Sequence, residues 1–318
     1  MRLAYGAIAE VTDEKLLFAK QLGATDIIVN TPQLPGNGYW EFLPLLELRT
    51  RVEAFGLKLA AIENIPHDWY LKAMLGEQGR DVLIENFCKT LRNMGKAGIP
   101  ILGYHWMPTA VWRTCYDTPW RGGARVTSFD YDLVKDAPLT PLGTLSDDQM
   151  WDNYTYFLRM VIPVAEEAGV RMGLHPDDPP VPSLAGIARI FRSVDAFKRM
   201  VEIVPSEYSG LEFCQGCFSE MGADVVEAIR YFGARKKIFY VHFRNVHGTP
   251  YKFNETFIDD GQTDMYVAMR AYKEVGFDGP IIDDHVPKVV DDTPWGHRGR
   301  AYASGYIKAL IDVVNALP

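Results

Sequence analysis

Short apolar runs recur along the chain, each followed by a longer stretch in which apolar residues return at the spacing of an amphipathic helix. Runs of strand length that alternate with helical patterns point to parallel βα units, because antiparallel neighbours need only a tight turn between them. The pattern predicts strands at Leu3–Ile8, Asp26–Asn30, Lys58–Ile62, Ile99–Tyr104, Arg171–His175, Ser209–Cys214, Lys237–His242 and Pro280–Asp284. Eight such units favour a closed (β/α)8 TIM barrel over an open doubly wound sheet, with residues 1–318 forming one domain. Glycines at Gly23, Gly56, Gly98, Gly169 and Gly276 fall where helices would close before the next strand. Glycine accepts the left-handed conformation that ends a helix there.

Two connections are too long for a compact barrel. One spans about 105–146, after the fourth strand, and is rich in Trp, Arg, Pro and Gly; the other runs from Asn245 to Asp264, after the seventh. Both leave the end of the barrel where chemistry sits, so both are expected to cover it as lids. The aromatic content of the first, with Trp106, Trp112, Trp120 and Phe129, predicts an ordered capping loop and not a disordered excursion.

Composition narrows the class. Of 318 residues 47% are hydrophobic, enough for a large core, and the net charge of −8 argues against nucleic acid as a partner, which would need a basic stripe. No run of about eighteen uncharged apolar residues is present to span a membrane. The start, Met1-Arg-Leu-Ala-Tyr-Gly6, has no secretory pattern, so a cytoplasmic protein is expected. Four cysteines in a chain this long do not make a disulfide framework.

Candidate chemistry lies at the ends of the last four predicted strands: His175, Cys214, His242 and Asp284. Successive barrel units deliver such residues to one rim. Two imidazoles, a thiolate and a carboxylate suit a borderline divalent ion such as manganese, zinc, iron or cobalt. A lone strand-end histidine is more often a structural hydrogen-bonding group, so it is the joint occurrence that makes the case. Alternation puts Tyr240 on the face of His242 and Glu212 on that of Cys214, so Glu212 is expected a layer beneath the ligands as a supporting carboxylate. Cys214-Gln-Gly-Cys217 is also a C-x-x-C, but it lacks the context of a redox pair and the second pair of a zinc knuckle, which leaves Cys217 as a loop thiol. Arg244 shares the parity of His242 and is a candidate clamp for a substrate carboxylate.

Several segments resemble the mannonate dehydratase family of xylose-isomerase-like barrels: Gly173-Leu-His-Pro-Asp-Asp-Pro-Pro180, Phe213-Cys-Gln-Gly216, Val241-His-Phe-Arg-Asn-Val246, Glu255-Thr-Phe257, Asp260-Gly261 with Asp264-Met-Tyr266, and Asp284-His285. Weaker matches at Pro35–Trp40, Glu63–Pro66, Met107-Pro108 and Trp112–Thr114 extend the resemblance over nearly the whole chain. It implies a metal-dependent lyase, usually containing manganese, that converts D-mannonate to 2-keto-3-deoxy-D-gluconate, with His175, Cys214, His242 and Asp284 as ligands. It also implies proton transfer by His285 and by a tyrosine of the final loop, for which Tyr302 is the nearest candidate, and an assembly of at least a dimer. Recognition of a polyhydroxy acid would then fall to Arg113, Arg244, Asn245 and the aromatic cap. The chain departs from the family pattern in having Ile258 for a histidine, Ile282-Asp283 for Arg-Pro, and Asn30-Thr31 for a pair of histidines. A sugar isomerase or epimerase on the same barrel, or a non-catalytic sugar-acid sensor, are the competing readings.

Overall fold

The computed structural model describes residues 1–316; Leu317 and Pro318 lie outside the described residues. The barrel strands are β1 (Arg2–Ile8), β2 (Asp26–Asn30), β3 (Lys58–Glu63), β4 (Ile101–Tyr104), β5 (Arg171–Leu174), β6 (Ser209–Cys214), β7 (Ile238–His242) and β8 (Pro280–Ile282). Each pairs in parallel with its sequence neighbours, and β8 closes on β1 through Arg2 opposite Pro280 and Leu3 opposite Ile281. The expected (β/α)8 TIM barrel is therefore observed. Strand bounds agree with the expected ones to within two residues, and the largest differences are at β4, which starts at Ile101, and β8, which stops at Ile282. All five glycines expected to close helices have left-handed φ values, from +69° at Gly169 to +82° at Gly23.

Helices and strands divide the apolar residues between two layers. Inside the barrel, Ala4, Ile28, Ala61, Ile101, Phe239, Tyr240 and Ile282 fill the axis. A much larger core lies between strands and helices and includes Trp106, whose ring packs 4.9 Å from Phe157 on the helix Asp147–Ala168. Trp106 thus belongs to the barrel wall and not to the cap.

The two long connections do not act as separate lids. Cys115–Pro119 and Arg125–Asp130 from the first join Val246–Thr249 and Lys252–Glu255 from the second in one four-stranded antiparallel sheet. The joint between them pairs Phe253 with Phe129 and Lys252 with Asp130. Phe129, Phe253, Val181 and Leu184 make a small apolar cluster under this sheet. At the far tip, Arg121 forms a two-pronged ion pair with Asp259 at 2.8 and 3.0 Å and lies over the Phe257 ring. Among the described residues no helix is long and apolar enough to cross a membrane.

Candidate metal centre

The strand ends deliver the expected residues to one place. Cys214 and His242 are opposite each other in the register of β6 and β7. His175 follows the last residue of β5, and its backbone N–H donates to Tyr104 O at 2.8 Å, which continues the sheet one step past the strand. Ligand-type atoms of Cys214, His242 and Asp284 all lie within 4.8 Å of one another, and those of His175 and Cys214 meet the same limit. Asp284 gets there because β8 stops at Ile282 and the chain turns, with Asp284 at a left-handed φ of +59°. Aspartate tolerates that conformation better than most residues. The turn lets both Asp284 and His285 face the site, which a continuing strand would forbid.

The donor set fits a divalent cation. His242 is buried, and its Nδ1 has no hydrogen-bond partner although it points toward Asp284 Oδ2 at 3.4 Å. An orphaned imidazole nitrogen in a buried site needs an explanation, and a metal ion supplies one. The other nitrogen, Nε2, is held by Glu63 at 2.9 Å and by Glu212 at 3.1 Å. His175 is arranged in the same way: Nδ1 lies 2.7 Å from Pro176 O, leaving Nε2 for a ligand. Metal-binding histidines commonly have the second nitrogen fixed by a carboxylate or a carbonyl, which sets tautomer and orientation.

Electrostatics agree. Burial alone would favour neutral forms, yet Asp284 is held well below the carboxylate range by His242 and His285. Cys214 is likewise held well below its ordinary value, against burial, by hydrogen bonding from Cys217 and by the Arg244 guanidinium. Burial works against a charged His175, but the Cys214 thiolate lifts it to about 10. In the protein alone, protons on the imidazoles balance the anionic groups. A divalent ion would displace those protons, as metal binding to thiolate and imidazole sites does. Glu212, pushed up to about 8 by burial and by neighbouring Glu63, sits a layer beneath as expected. A Cβ on Gly103 would fall 2.5 Å from Glu212 Oε2, so β4, which faces Glu212 from two strands away, needs glycine there.

The three residues expected to hold substrate each have protein partners in this structure. Arg244 is buried and donates to Cys214 Sγ at 3.3 Å, Cys217 Sγ at 3.1 Å, Glu220 at 2.9 Å and Asp178 at 3.1 Å. Its guanidinium fills the Asp178, Cys217 and Glu220 cluster as that cluster's cation. Arg113 grips both oxygens of Asp178 at 2.6 Å and Glu255 at 2.5 Å, tying the cap to the rim. Asn245 donates to Ile258 O and Thr263 O at 3.2 and 3.0 Å and pins the second long connection. Partners of this kind are invisible in sequence because they arrive from three different connections. His285 is half exposed beside the ligands, with Nε2 3.5 Å from Asp284 and Nδ1 3.7 Å from Glu255 Oε2. Tyr302 lies on the helix His297–Ala316 and not in a final loop, with its ring on Phe257 at 6.1 Å and its hydroxyl meeting Asp259 and Arg121.

The D-mannonate dehydratase (UxuA) family model matches residues 1–144 and 139–317. The chain belongs to that family. It is 30% identical to mannonate dehydratase 2 of Halalkalibacterium halodurans over 98% of this chain and 96% of that protein. It is 31% identical to mannonate dehydratase of Thermotoga maritima over 87% and 85% of the two chains. The crystal structure of mannonate dehydratase from Streptococcus suis serotype 2 superposes with a TM-score of 0.87, at 29% identity, covering 99% of this chain and 93% of that one. A D-tagatose 3-epimerase-like protein, at 16% identity and a TM-score of 0.64, shares the fold.

Against the mannonate dehydratase pattern, the three departures have local accounts. Ile258, within the second connection, is buried in the main core. Thr31 takes a φ of +40°, and its hydroxyl donates to Asn30 Oδ1 at 2.7 Å. Asp283 accepts from Arg300 at 2.6 Å.

Glu63 went unassigned in the reading of single motifs. Its signal is an acid that ends an otherwise apolar strand at the rim. Replacing Glu63 by Gln is expected to weaken metal binding by about 10- to 100-fold, the usual effect of removing the partner that orients a ligand histidine. Titration with Mn2+ checks this, and an unchanged affinity would show that Glu212 alone orients His242.

Proposed function

We propose that this chain is a metal-dependent hydro-lyase that removes water from D-mannonate to give 2-keto-3-deoxy-D-gluconate, with His175, Cys214, His242 and Asp284 holding the ion. The observation that carries this reading is the meeting of two imidazoles, a thiolate and a carboxylate at the rim of a barrel that matches the D-mannonate dehydratase family along its length. Manganese is the ion that the family resemblance implies, and the donor set also suits Fe2+, Co2+ or Zn2+. A homo-oligomer acting in the cytoplasm on a small sugar acid completes the reading.

The C2 proton of an aldonate is weakly acidic and the C3 hydroxyl is a poor leaving group. One side chain must accept the first and another must protonate the second. An ion held by His175, Cys214, His242 and Asp284 would supply Lewis acidity toward the negative charge that develops when the C2 proton leaves. His285 is half exposed next to Asp284, where it can exchange a proton with a substrate at the rim. A cavity of about 510 Å3 with His285, Lys288, Trp295 and Arg300 in its wall gives a polyhydroxy chain room beside it. Arg113, Arg244 and Asn245 shape that rim from behind, because their donors are already committed to protein oxygens and sulfurs. Tyr302 sits on the seam between the cap tip and the last helix, a position suited to holding the cap closed.

Incubating the Mn2+-loaded chain with D-mannonate and assaying for a 2-keto-3-deoxy acid tests the reading. The product should form from D-mannonate and require the metal. Return of an isomerised or epimerised sugar, or of unchanged mannonate, would overturn it.

A further inference from the structure

The Asp284–His285 turn raises a mechanical question. Asp284 must hold a left-handed backbone, a strained conformation that persists only where its surroundings enforce it. The strand cannot enforce it, because β8 has already ended at Ile282. A single side chain from elsewhere does. Arg300, on the helix His297–Ala316, is buried and spends its donors on four oxygens around this turn. Its Nη2 donates to Asp284 O at 3.2 Å, and its Nη1 donates to Asp283 Oδ1 at 2.6 Å and to Gly6 O at 2.9 Å. Its Nε donates to Trp295 O at 3.1 Å, and its guanidinium stacks over the Trp295 ring at 4.0 Å.

We infer that Arg300 is a positioning residue for the metal centre: it holds the turn that presents Asp284 as a ligand and His285 as a proton-transfer group. The fork geometry of a guanidinium allows this, since one planar group bonds a side-chain carboxylate and three separate carbonyls at fixed angles. Lysine offers one point of charge and cannot span them. The inference also explains Asp283, which stands where the family pattern has proline. Its carboxylate is the charged acceptor that anchors Arg300 beneath the turn, and Gly6 O ties the same group to β1. The last helix, β1 and the end of β8 are thereby locked to one another at the ligand.

The inference rests on the metal-site reading above, and its test reads metal affinity apart from turnover. Mn2+ binding is measured by calorimetry on Arg300→Met, Arg300→Lys and, as a control, Arg2→Met. Arg2 pairs with Asp26 at 3.0 Å where β1 and β2 begin, at the opposite end of the barrel, so its loss lowers stability without touching the rim. Arg300→Met should bind Mn2+ about 10- to 100-fold more weakly than wild type, Arg300→Lys should recover part of that, and Arg2→Met should bind as wild type does. Wild-type affinity in Arg300→Met overturns the inference. So does a loss of affinity in Arg2→Met as large as that in Arg300→Met at a similar melting temperature, because stability would then explain both. If Arg300→Met does not fold, Arg300→Lys decides, and wild-type affinity there overturns the inference. A wild-type chain that binds Mn2+ but leaves D-mannonate unchanged removes the dehydratase reading and leaves this test standing. A wild-type chain that binds no divalent ion overturns both.

Discussion

Replacing Cys214 by alanine is expected to strip the divalent ion and abolish dehydration. The sulfur is buried where β6 ends, beside His175 and opposite His242, and it is the one soft anionic donor of the proposed set. Removing it also leaves the buried Arg244 without the acceptor of its Nε–H at 3.3 Å, so the guanidinium has only Asp284 left on that side. A cation drawn onto Asp284 would compete with the metal for the same carboxylate. Metal content after dialysis, measured by atomic emission, should fall from about one ion per chain toward zero. Cys214→Ser separates the causes: it keeps the size, but a neutral hydroxyl is a poor ligand, so it should lose metal almost as fully. A Cys214→Ala protein that kept a stoichiometric ion and its turnover would sink the proposed ligand set.

His285→Asn should behave in the opposite way with respect to metal. The side chain is half exposed and lies 3.5 Å from Asp284 Oδ2, beside the ligand set. Asparagine keeps a polar group near Glu255 but cannot exchange a proton near neutral pH. The expected result is a kcat lower by roughly 10²–10⁴, the usual worth of a general acid or base, with Mn2+ affinity close to wild type. Loss of metal together with activity would make His285 a ligand. Full activity would make it structural and send the search for the proton acceptor to other groups around the His285 cavity.

Both predictions concern residues that the sequence alone picks out, and the reason is geometric. In a closed parallel barrel every strand ends at the same rim, so a ligand-type residue at a strand end is placed by local pattern alone. His175, Cys214 and His242 were legible as candidate ligands for that reason, as was Glu212 two residues before Cys214, whereas Asp284 reaches the rim through the turn after β8. Glu63 was equally placed by the rule, but an acid ending a strand is also an ordinary surface residue. Only the 2.9 Å contact with His242 Nε2 distinguishes the two. The protein partners of Arg113 and Arg244 are not legible in the sequence. Parity gives the side a guanidinium leaves from, while Asp178, Glu220 and Glu255 come from other connections and decide where it stops.

What the chain determined by itself is therefore the local part: the alternation of strands and helices, the glycines that close helices with left-handed φ, and the strand ends that carry most of the proposed ligands. These follow from periodicity and backbone sterics within a few residues. Tertiary structure alone decided the rest. Two connections more than a hundred residues apart became one antiparallel sheet, because the edge of Arg125–Asp130 found its partner in Lys252–Glu255. Arg300 reached back to a turn sixteen residues away because the last helix packs across β1 and β8. Edge pairing and buried charge pairing depend on which surfaces meet after collapse, and no window of sequence contains both partners.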